Sequence, residues 1–232
     1  RLPVLCSWLI VMTFLELCQR VAREAGVAGD GPQSVVNQMG DYARIPMWVN
    51  DAWIDIQSRS PMWNFLWSEF RFQAVKDYRD YDPTETTANE WDVNNFLIYK
   101  TSDGERQEGN LVYVPYSDWY ARFERGEPDV RMPLHFTILP NNLVRFDSFP
   151  DTTYTVNGAY WKKPVPLVND DDVPAVNEQH HSAIVYLALM YYATYEEAGD
   201  VLALSEKLYN KHFTRLCNQE LPRAMIGAEP LA

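Results

Sequence analysis

The side chains best suited to chemistry in this chain are its histidines and its carboxylates. His180 and His181 form the only pair of adjacent histidines. Neighbouring residues of a helix point about 100° apart, so these two imidazoles do not readily bind one metal ion, and no nearby cysteine or aspartate completes a ligand set. We interpret the pair as the polar start of a helix, and we predict no metal site.

The acidic residues are numerous but follow no catalytic pattern. The run Asp170-Asp171-Asp172 lacks the alternating ligands, the central glycine and the final glutamate of a calcium loop, so we interpret it as a solvated linker. Glycoside hydrolysis needs two carboxylates at a set separation across a cleft, and no local motif singles out such a pair among the 32 acidic residues. Phosphate-binding loops and the G-x-S-x-G motif are absent from the sequence. We predict no catalytic residue, no cofactor and no enzymatic activity.

The charge of the chain argues against nucleic-acid binding. The net charge is −12 and the pI is near 4.7, whereas proteins that bind nucleic acids are basic on the contact surface. An acidic chain repels phosphate backbones, which suits a protein past which DNA must slide without adhesion. The three cysteines, Cys6, Cys18 and Cys217, include no C-x-x-C pair, and we expect free thiols from a reducing cytosol.

Aromatic residues are concentrated in one short segment. Trp48, Trp53, Trp63 and Trp67 fall within twenty residues, in a stretch that begins with helical spacing and passes through Pro61 into alternating residues. Aromatic surface of this size contributes burial energy in a core or at a subunit interface, which favours a structural, assembly-type protein. The alternatives are a cell-wall-degrading enzyme and a carbohydrate-binding module; burial of these tryptophans would argue against the module.

Helical periodicity marks the N-terminal part of the chain. Thr13 and Glu16 form a capping-box pair, which predicts that a first helix begins at Thr13. Asp41 is the expected cap of a second helix, which Pro46 delays or kinks. That helix should end by Ser60, because a proline follows.

The middle of the chain shows the period-2 alternation of β-strands. A first strand is expected from Phe65, and the stretch Asp82–Asp92 is expected to be an exposed loop. Ser102-Asp103-Gly104 and Pro140-Asn141-Asn142 predict hairpin turns, and Val156-Asn157-Gly158 suggests a turn or a bulge. The other predicted elements are strands at Phe96–Lys100, Leu111–Tyr116, Leu134–Leu139, Leu143–Phe146 and Tyr154–Lys162, and a short helix at Ser117–Phe123.

Helical spacing returns near Asn177 and continues, with an interruption at Gly199, until Pro222.

Neither terminal helix pair can bury its apolar stripe alone. We therefore predict an α+β fold, in which the N- and C-terminal helix pairs pack as a helical bundle and a central antiparallel β-rich lobe forms a second unit. The predicted divisions are an N-terminal extension at 1–11, the bundle at 12–60 and 175–220, the β-rich lobe at 61–174 and a C-terminal tail at 221–232.

Several of these segments resemble one known family. Met12–Gly26 resembles the opening helix of phage adaptor proteins. Trp48–Gln57 followed by Trp63–Leu66 resembles their second helix and first strand, and Tyr191–Gly199 running to Tyr209 resembles their closing helix pair. The order and spacing of these segments are similar to those of the head-to-tail adaptor, or connector, proteins of tailed bacteriophages, most like those of short-tailed phages.

This resemblance implies a structural virion protein that assembles in the host cytoplasm and acts at the capsid vertex. The implied partners are further copies of the chain in a ring, usually of twelve, the portal protein above it and a tail or nozzle protein below it. Double-stranded DNA would pass through the channel without specific binding, and no membrane is involved. The residues expected to bind the portal are Leu221, Pro222, Arg223, Met225, Ile226 and Leu231. Those expected at subunit or tail interfaces are Tyr78, Tyr81, Asp103 and Gly104.

Overall fold

The computed structural model describes residues 11–222, except for 28, 30, 86 and 103–108. The predicted α+β class is confirmed, with helices at both ends and strands between them. The described residues form two compact units. Those of 1–65 and 164–232 make a helical unit, and those of 66–163 make a strand-rich unit.

The helical unit contains four of the five α-helices, and the strand-rich unit contains nine strands and one helix. Short 3₁₀ helices lie at Asn64–Leu66 and Glu178–His180. The α-helices are α1 (Phe14–Glu24), α2 (Asp41–Ser58), α3 (Tyr116–Phe123), α4 (His181–Tyr195) and α5 (Gly199–Glu220). The strands are β1 (Trp67–Ala74), β2 (Asp80–Tyr81), β3 (Ala88–Trp91), β4 (Leu97–Lys100), β5 (Gly109–Asn110), β6 (Val112–Tyr113), β7 (His135–Ile138), β8 (Val144–Phe146) and β9 (Tyr154–Lys162).

The first helix begins where its sequence predicts. The Thr13 side chain accepts a hydrogen bond from the Glu16 amide, and the Glu16 carboxylate accepts one from the Thr13 amide, which completes a capping box. The amides of Phe14 and Leu15 donate to the main-chain carbonyls of Asp172 and Asp170, at 2.7 and 3.1 Å. These bonds satisfy first-turn amides that no helix can satisfy internally.

The acidic run is therefore more than a solvated linker, and that interpretation was wrong. Besides its carbonyl bond to α1, Asp170 accepts hydrogen bonds at its carboxylate from the Ser34 hydroxyl and the Val35 amide. The Asp172 carboxylate accepts the amides of Val168 and Asn169, and these bonds lower its pKa. The run fixes the start of α1 and the loop after it.

Helix α2 continues through Pro46 without ending there. It begins at Asp41, and Gly40 occupies the cap position with a φ of 62°, so the predicted cap is displaced by one residue. A proline inside a helix removes one backbone hydrogen bond. Pro46 is buried and its neighbour Ile45 is fully buried, so tertiary packing offsets that loss.

Helix α4 is the centre of the helical unit. It is apolar around its whole circumference, the character of a helix enclosed by others, and it packs against α1, α2 and α5. Each of the flanking helices contributes an apolar face, as with Leu17 and Val21 of α1 and Leu216 of α5. The buried residues of α4 are His181, Ala183, Ile184, Val185, Leu187, Ala188, Leu189 and Ala193.

The strand-rich unit contains two sheets around one core. In the larger sheet the order is β1-β9-β4-β5, and β3 also pairs with β9; in the smaller sheet it is β2-β8-β7-β6. The pairings are antiparallel except that of β6 with β7. Aromatic side chains of the two sheets meet in the core, where Phe96 stacks on Phe136 with ring centroids 4.1 Å apart. Phe72 and Phe146 form a second such pair at 6.3 Å.

Two segments of this unit differ from their sequence predictions. Residues 88–91 form β3 rather than an exposed loop, with Ala88 and Trp91 buried against the core. A register shift between Ala88 and Glu90 breaks the alternation, which is why the pattern does not show a strand. The predicted strand at Leu111–Tyr116 is only the two residues of β6, because α3 already begins at Tyr116.

The Pro140–Asn142 hairpin turn is confirmed, with Asn142 in the left-handed conformation at a φ of 68°. The turn or bulge suggested at Gly158 is wrong, because β9 pairs with β1 in unbroken register through this residue. Its glycine has a packing role instead. A Cβ atom at Gly158 would lie 2.4 Å from the Phe70 ring, which is itself enclosed by Trp91, Phe96 and Tyr160.

Replacing Gly158 with alanine should destabilise the strand-rich unit by about 2 kcal/mol, since the new methyl group would overlap the Phe70 ring, which already packs against three other aromatic rings. Urea unfolding followed by tryptophan fluorescence measures this loss. Gly109→Ala is the matched control, because its Cβ would meet its nearest neighbour at an ordinary 3.6 Å. Equal stability of the two variants would contradict the packing role of Gly158.

Candidate functional site

The structure divides the four clustered tryptophans into two core residues and two surface residues. Trp53 and Trp63 are 2% and 1% exposed, and the Phe65 ring stacks against both with centroid distances of 5.6 Å. The Trp63 indole donates a hydrogen bond to the Ile56 carbonyl at 2.9 Å. Trp48 is half-buried and Trp67 is 46% exposed. Each of the latter two lines a surface cleft, one in each unit.

The cleft beside Trp48 belongs to the helical unit, and we call its lining the helical patch. Trp48 meets Tyr192 edge-on at 5.8 Å and Tyr195 at 5.7 Å, and the Arg44 guanidinium lies 4.1 Å from the centre of the Tyr195 ring. Tyr195 is 51% exposed, and Met47 on the same helix as Trp48 is 63% exposed. The residues lining the cleft are Trp48, Asp51, Tyr191, Thr194 and Tyr195.

The cleft beside Trp67 lies on the larger sheet, on the face opposite the core, and we call its lining the sheet patch. It has a volume of about 530 Å³. The Arg71 guanidinium contacts the Tyr99 hydroxyl and lies 5.8 Å from the centre of that ring. Trp67 contributes the largest exposed apolar surface. The lining residues are Trp67, Glu69, Phe70, Arg71, Asn95, Leu97, Asn157, Gly158 and Ala159.

Both patches have the composition of recognition surfaces. Tryptophan, tyrosine and arginine are enriched among the residues that carry most binding energy at protein interfaces. Each cleft is lined by a single carboxylate, Asp51 in one and Glu69 in the other. Neither cleft therefore presents the two facing carboxylates on which glycoside hydrolysis depends.

The residues predicted at subunit or tail interfaces lie in different settings. Tyr78 is 65% exposed. Tyr81 is half-buried, its ring packs against Phe72 and Phe146, and its hydroxyl donates to the Tyr78 carbonyl and accepts the Val75 amide. Burial raises the pKa of Tyr81 to about 12. Asp103 and Gly104 lie outside the described residues.

The residues predicted to bind the portal follow α5. Leu221 is the C-cap residue of that helix, and Pro222 is exposed. The structure therefore places the predicted tail directly after a long helix of the helical unit. Arg223, Met225, Ile226 and Leu231 lie outside the described residues.

The adjacent histidines lie at the start of α4, as predicted, but they are buried rather than part of a polar surface. His180 and His181 are 1% and 0% exposed. The Met12 amide donates to Nδ1 of His181 at 3.2 Å, and Nε2 lies 3.2 Å from the Val176 carbonyl, which assigns the ring proton to Nε2. His181 thus binds Met12 through Nδ1 and the segment before α4 through Nε2. Burial lowers the pKa of each of the two histidines.

A buried carboxylate that the sequence did not single out organises one loop of the strand-rich unit. The Asp147 carboxylate is fully buried, binds Arg131 and Nδ1 of His135 at 2.9 Å each, and accepts the Leu134 amide at 3.2 Å. A carboxylate that orients a histidine also occurs in catalytic triads. Within the described part of the chain, no hydroxyl or thiol bonds to His135, so the group anchors the loop that precedes β7.

Over the described residues, no group of three or more histidine, cysteine, aspartate or glutamate side chains is arranged to hold a metal ion. No helix in the same ranges is long and apolar enough to cross a membrane. Cys18 and Cys217 are free thiols, and burial raises the pKa of both. Cys6 lies outside the described ranges.

Comparison with known protein families identifies this chain's relatives. The family model described as SU10 adaptor protein matches residues 12–230, which covers the terminal helices and the strand-rich middle. No curated protein matches the chain.

The two classes of tryptophan should respond differently to truncation. Trp63→Ala should destabilise the protein by about 4 kcal/mol, because it removes a fully enclosed ring and its hydrogen bond. Trp67→Ala should cost less than about 1.5 kcal/mol, since nearly half of that side chain is already in water. Urea unfolding of both variants measures the difference. Similar losses would show that Trp67 is part of a core.

Acid should destabilise the helical unit through its buried histidines. Above pH 6.5 the His181 imidazole is neutral in the folded and unfolded states; below it, the unfolded chain takes up a proton first, because burial lowers the folded pKa. Stability should therefore fall as the pH drops from 6.5 towards the folded pKa. Thermal unfolding at pH 7.5 and 5.5 measures this fall.

The control for the acid effect is His181→Asn, which keeps an acceptor near the Met12 amide but cannot titrate. At pH 7.5 the free energy of unfolding of the variant should be about 1 to 2 kcal/mol lower than that of the wild type, because the hydrogen bond to Val176 is lost. Its stability should also fall less than that of the wild type between pH 7.5 and 5.5. If the variant loses as much stability between pH 7.5 and 5.5 as the wild type does, protonation of His181 does not cause the acid effect.

Proposed function

This chain belongs to the SU10 adaptor proteins, a family of phage head–tail adaptors, and we propose that it forms a ring beneath the portal that extends the DNA channel and provides the platform for the tail. It is a phage adaptor and a component of the virion. The observation that carries the proposal is the family match across residues 12–230.

Membership of an adaptor family implies association with portal and tail proteins and with further copies of the chain. A closed ring requires two different, mutually complementary surfaces on each subunit, because its contacts are head-to-tail. The helical patch and the sheet patch are two chemically different aromatic surfaces on separate units of the chain. The two patches are therefore suited to head-to-tail contacts between neighbouring subunits. We propose a ring of twelve copies.

The charge of the chain supports a passage for DNA. With a net charge of −12, a ring of twelve copies would carry a strong negative field. Acidic walls repel the phosphate backbone, so double-stranded DNA slides through without specific binding. Assembly of the ring in the host cytoplasm is part of the same proposal.

The C-terminal tail is the segment that we assign to the portal. Residues 221–232 follow a helix of 22 residues, and they include the apolar side chains of Leu221, Met225, Ile226 and Leu231.

A glycan-binding or cell-wall-degrading role is the second candidate. The exposed Trp67 beside the amide of Asn95 is the observation in its favour, because sugars stack on indole rings and bond to amides. Trp53 and Trp63, the other two members of the cluster that lie in the core, are buried and unavailable for stacking. A glycan-binding screen and a peptidoglycan hydrolysis assay separate this role from that of an adaptor.

Deleting residues 222–232 should abolish attachment to the portal and leave the fold unchanged, because α5 already ends at Glu220 with Leu221 as its cap. Purified full-length and truncated chains are each mixed with portal rings and imaged by electron microscopy. The full-length chain should give an added ring, and the truncated chain should give bare portals with an unchanged thermal midpoint.

The two results are informative separately. Full docking by the truncated chain would reject the assignment of the tail to the portal. Failure of the full-length chain to add a ring would reject the proposed position beneath the portal.

A further inference from the structure

Strand β1 leaves a long edge of the larger sheet uncovered. Within the described residues it pairs only with β9, over all eight of its positions, which corresponds to a length of about 27 Å. Among the described residues, the other strands with an unpaired side are shorter: β3 has four residues, and β2, β5 and β6 have two each. β1 also contains neither proline nor lysine, the residues that commonly protect an edge from pairing with another chain.

The direction of the peptide groups along this edge follows from β9. The Asp92 amide donates to the Ala159 carbonyl at 3.1 Å and the Thr101 amide to the Thr153 carbonyl at 3.2 Å, both on the side of β9 away from β1. Ala159 lies opposite Glu69. Peptide groups alternate in direction along an antiparallel strand, so those of Glu69 and of every second residue of β1 point outward. The outward residues are Trp67, Glu69, Arg71 and Gln73.

The side chains of these same four residues are exposed and share one face of the sheet. Trp67 is the largest, and Glu69 and Arg71 are the only charged residues of β1. The Arg71 guanidinium lies on this face against Tyr99 of β4, and it would turn from that ring to meet a carboxylate of an added strand. An added strand would therefore place its side chains beside one indole, one carboxylate and one guanidinium.

We propose that β1 pairs antiparallel with β1 of a second copy of this chain. In this pairing Glu69 lies opposite Arg71 of the partner subunit, and Arg71 opposite the partner's Glu69. Trp67 lies opposite the partner's Gln73 at each end. The edge is thus its own complement, in charge as well as in hydrogen-bonding groups, and this complementarity identifies the occupant as a second copy.

Charge also fixes the register. A slip of two residues in one direction would place Glu69 opposite the partner's Glu69, and a slip in the other would place Arg71 opposite the partner's Arg71. Like charges directly opposite each other destabilise a strand pair. A slip of one residue would bring inward-facing peptide groups to the new edge and turn the side chains to the other face. The charge-complementary register also pairs all four outward residues of each strand, whereas a slip of two residues in either direction pairs only three.

This contact belongs to the free protein. A two-fold pairing closes at two copies, whereas a ring needs head-to-tail contacts. The pairing does not rest on the proposed function, and its assay contains no portal, so failure of either proposal is recognised separately.

Analytical ultracentrifugation over a concentration series tests the pairing with the full-length chain. The wild type should show a reversible monomer–dimer equilibrium. Glu69→Arg and Arg71→Glu should each raise the dimer Kd roughly tenfold or more, because each replaces two attractive cross-strand pairs with two repulsive ones. The double variant Glu69→Arg/Arg71→Glu restores opposite charges and should return the Kd to near the wild-type value. Glu206→Arg, an exposed substitution on α5, is the control for net charge.

Hydrogen exchange on the wild type gives a second measurement that does not depend on the folding of any variant. The outward amides of Glu69 and Gln73 should exchange more slowly as the concentration rises, whereas those of Phe70 and Phe72, which face β9, should not change. A wild-type chain that stays monomeric throughout, or a dimer that neither single charge reversal weakens, would overturn the proposal. So would a double variant that fails to recover dimerisation.

Discussion

The enclosure of helix α4 is the constraint on which the helical unit depends. An apolar surface around a whole helix is stable only when neighbours cover every side, and α1, α2 and α5 provide that cover. Two of these neighbours precede the strand-rich unit in the chain and one follows it. The chain must therefore return from residue 163 to complete the core that it began before residue 66. Hydrogen bonds connect the segment before the strand-rich unit to the segment after it. They run from α1 to Asp170 and Asp172, and from Met12 to His181.

Signals that act over a few residues were readable in the sequence. The capping box at Thr13, the Asn142 turn and the full extent of β9 depend on neighbours in the chain, and they appear as predicted. Three of the wrong interpretations concern groups whose partners are far away in the chain. Asp170 and His181 look like surface residues until α1 is placed beside them, and Gly158 looks like a bulge until the Phe70 ring is placed over it. Composition and spacing carry no information about such partners.

The candidate surfaces show the same division. The clustering of four tryptophans predicted that aromatic burial stabilises the protein, but only the fold shows which of them are buried. Trp53 and Trp63 stabilise the helical unit, while Trp48 and Trp67 remain at the surface. The open edge beside Trp67 could not be predicted either, because an edge is defined by the strands that are missing beside it. A protein that works by assembly needs surfaces that are incomplete in the single chain, and aromatic rings with one or two charges provide both affinity and orientation.

The continuity of the strand-rich unit in the chain has a genetic consequence. Residues 66–163 form one uninterrupted block of the chain. A recombination event with two breakpoints can therefore exchange the whole strand-rich unit and leave helices α1, α2, α4 and α5 unchanged. The core of the helical unit is instead assembled from segments on both sides of this block. Because α1 packs against α4 across more than 150 codons, we expect these two segments to be inherited together, whereas the block between them can be exchanged separately.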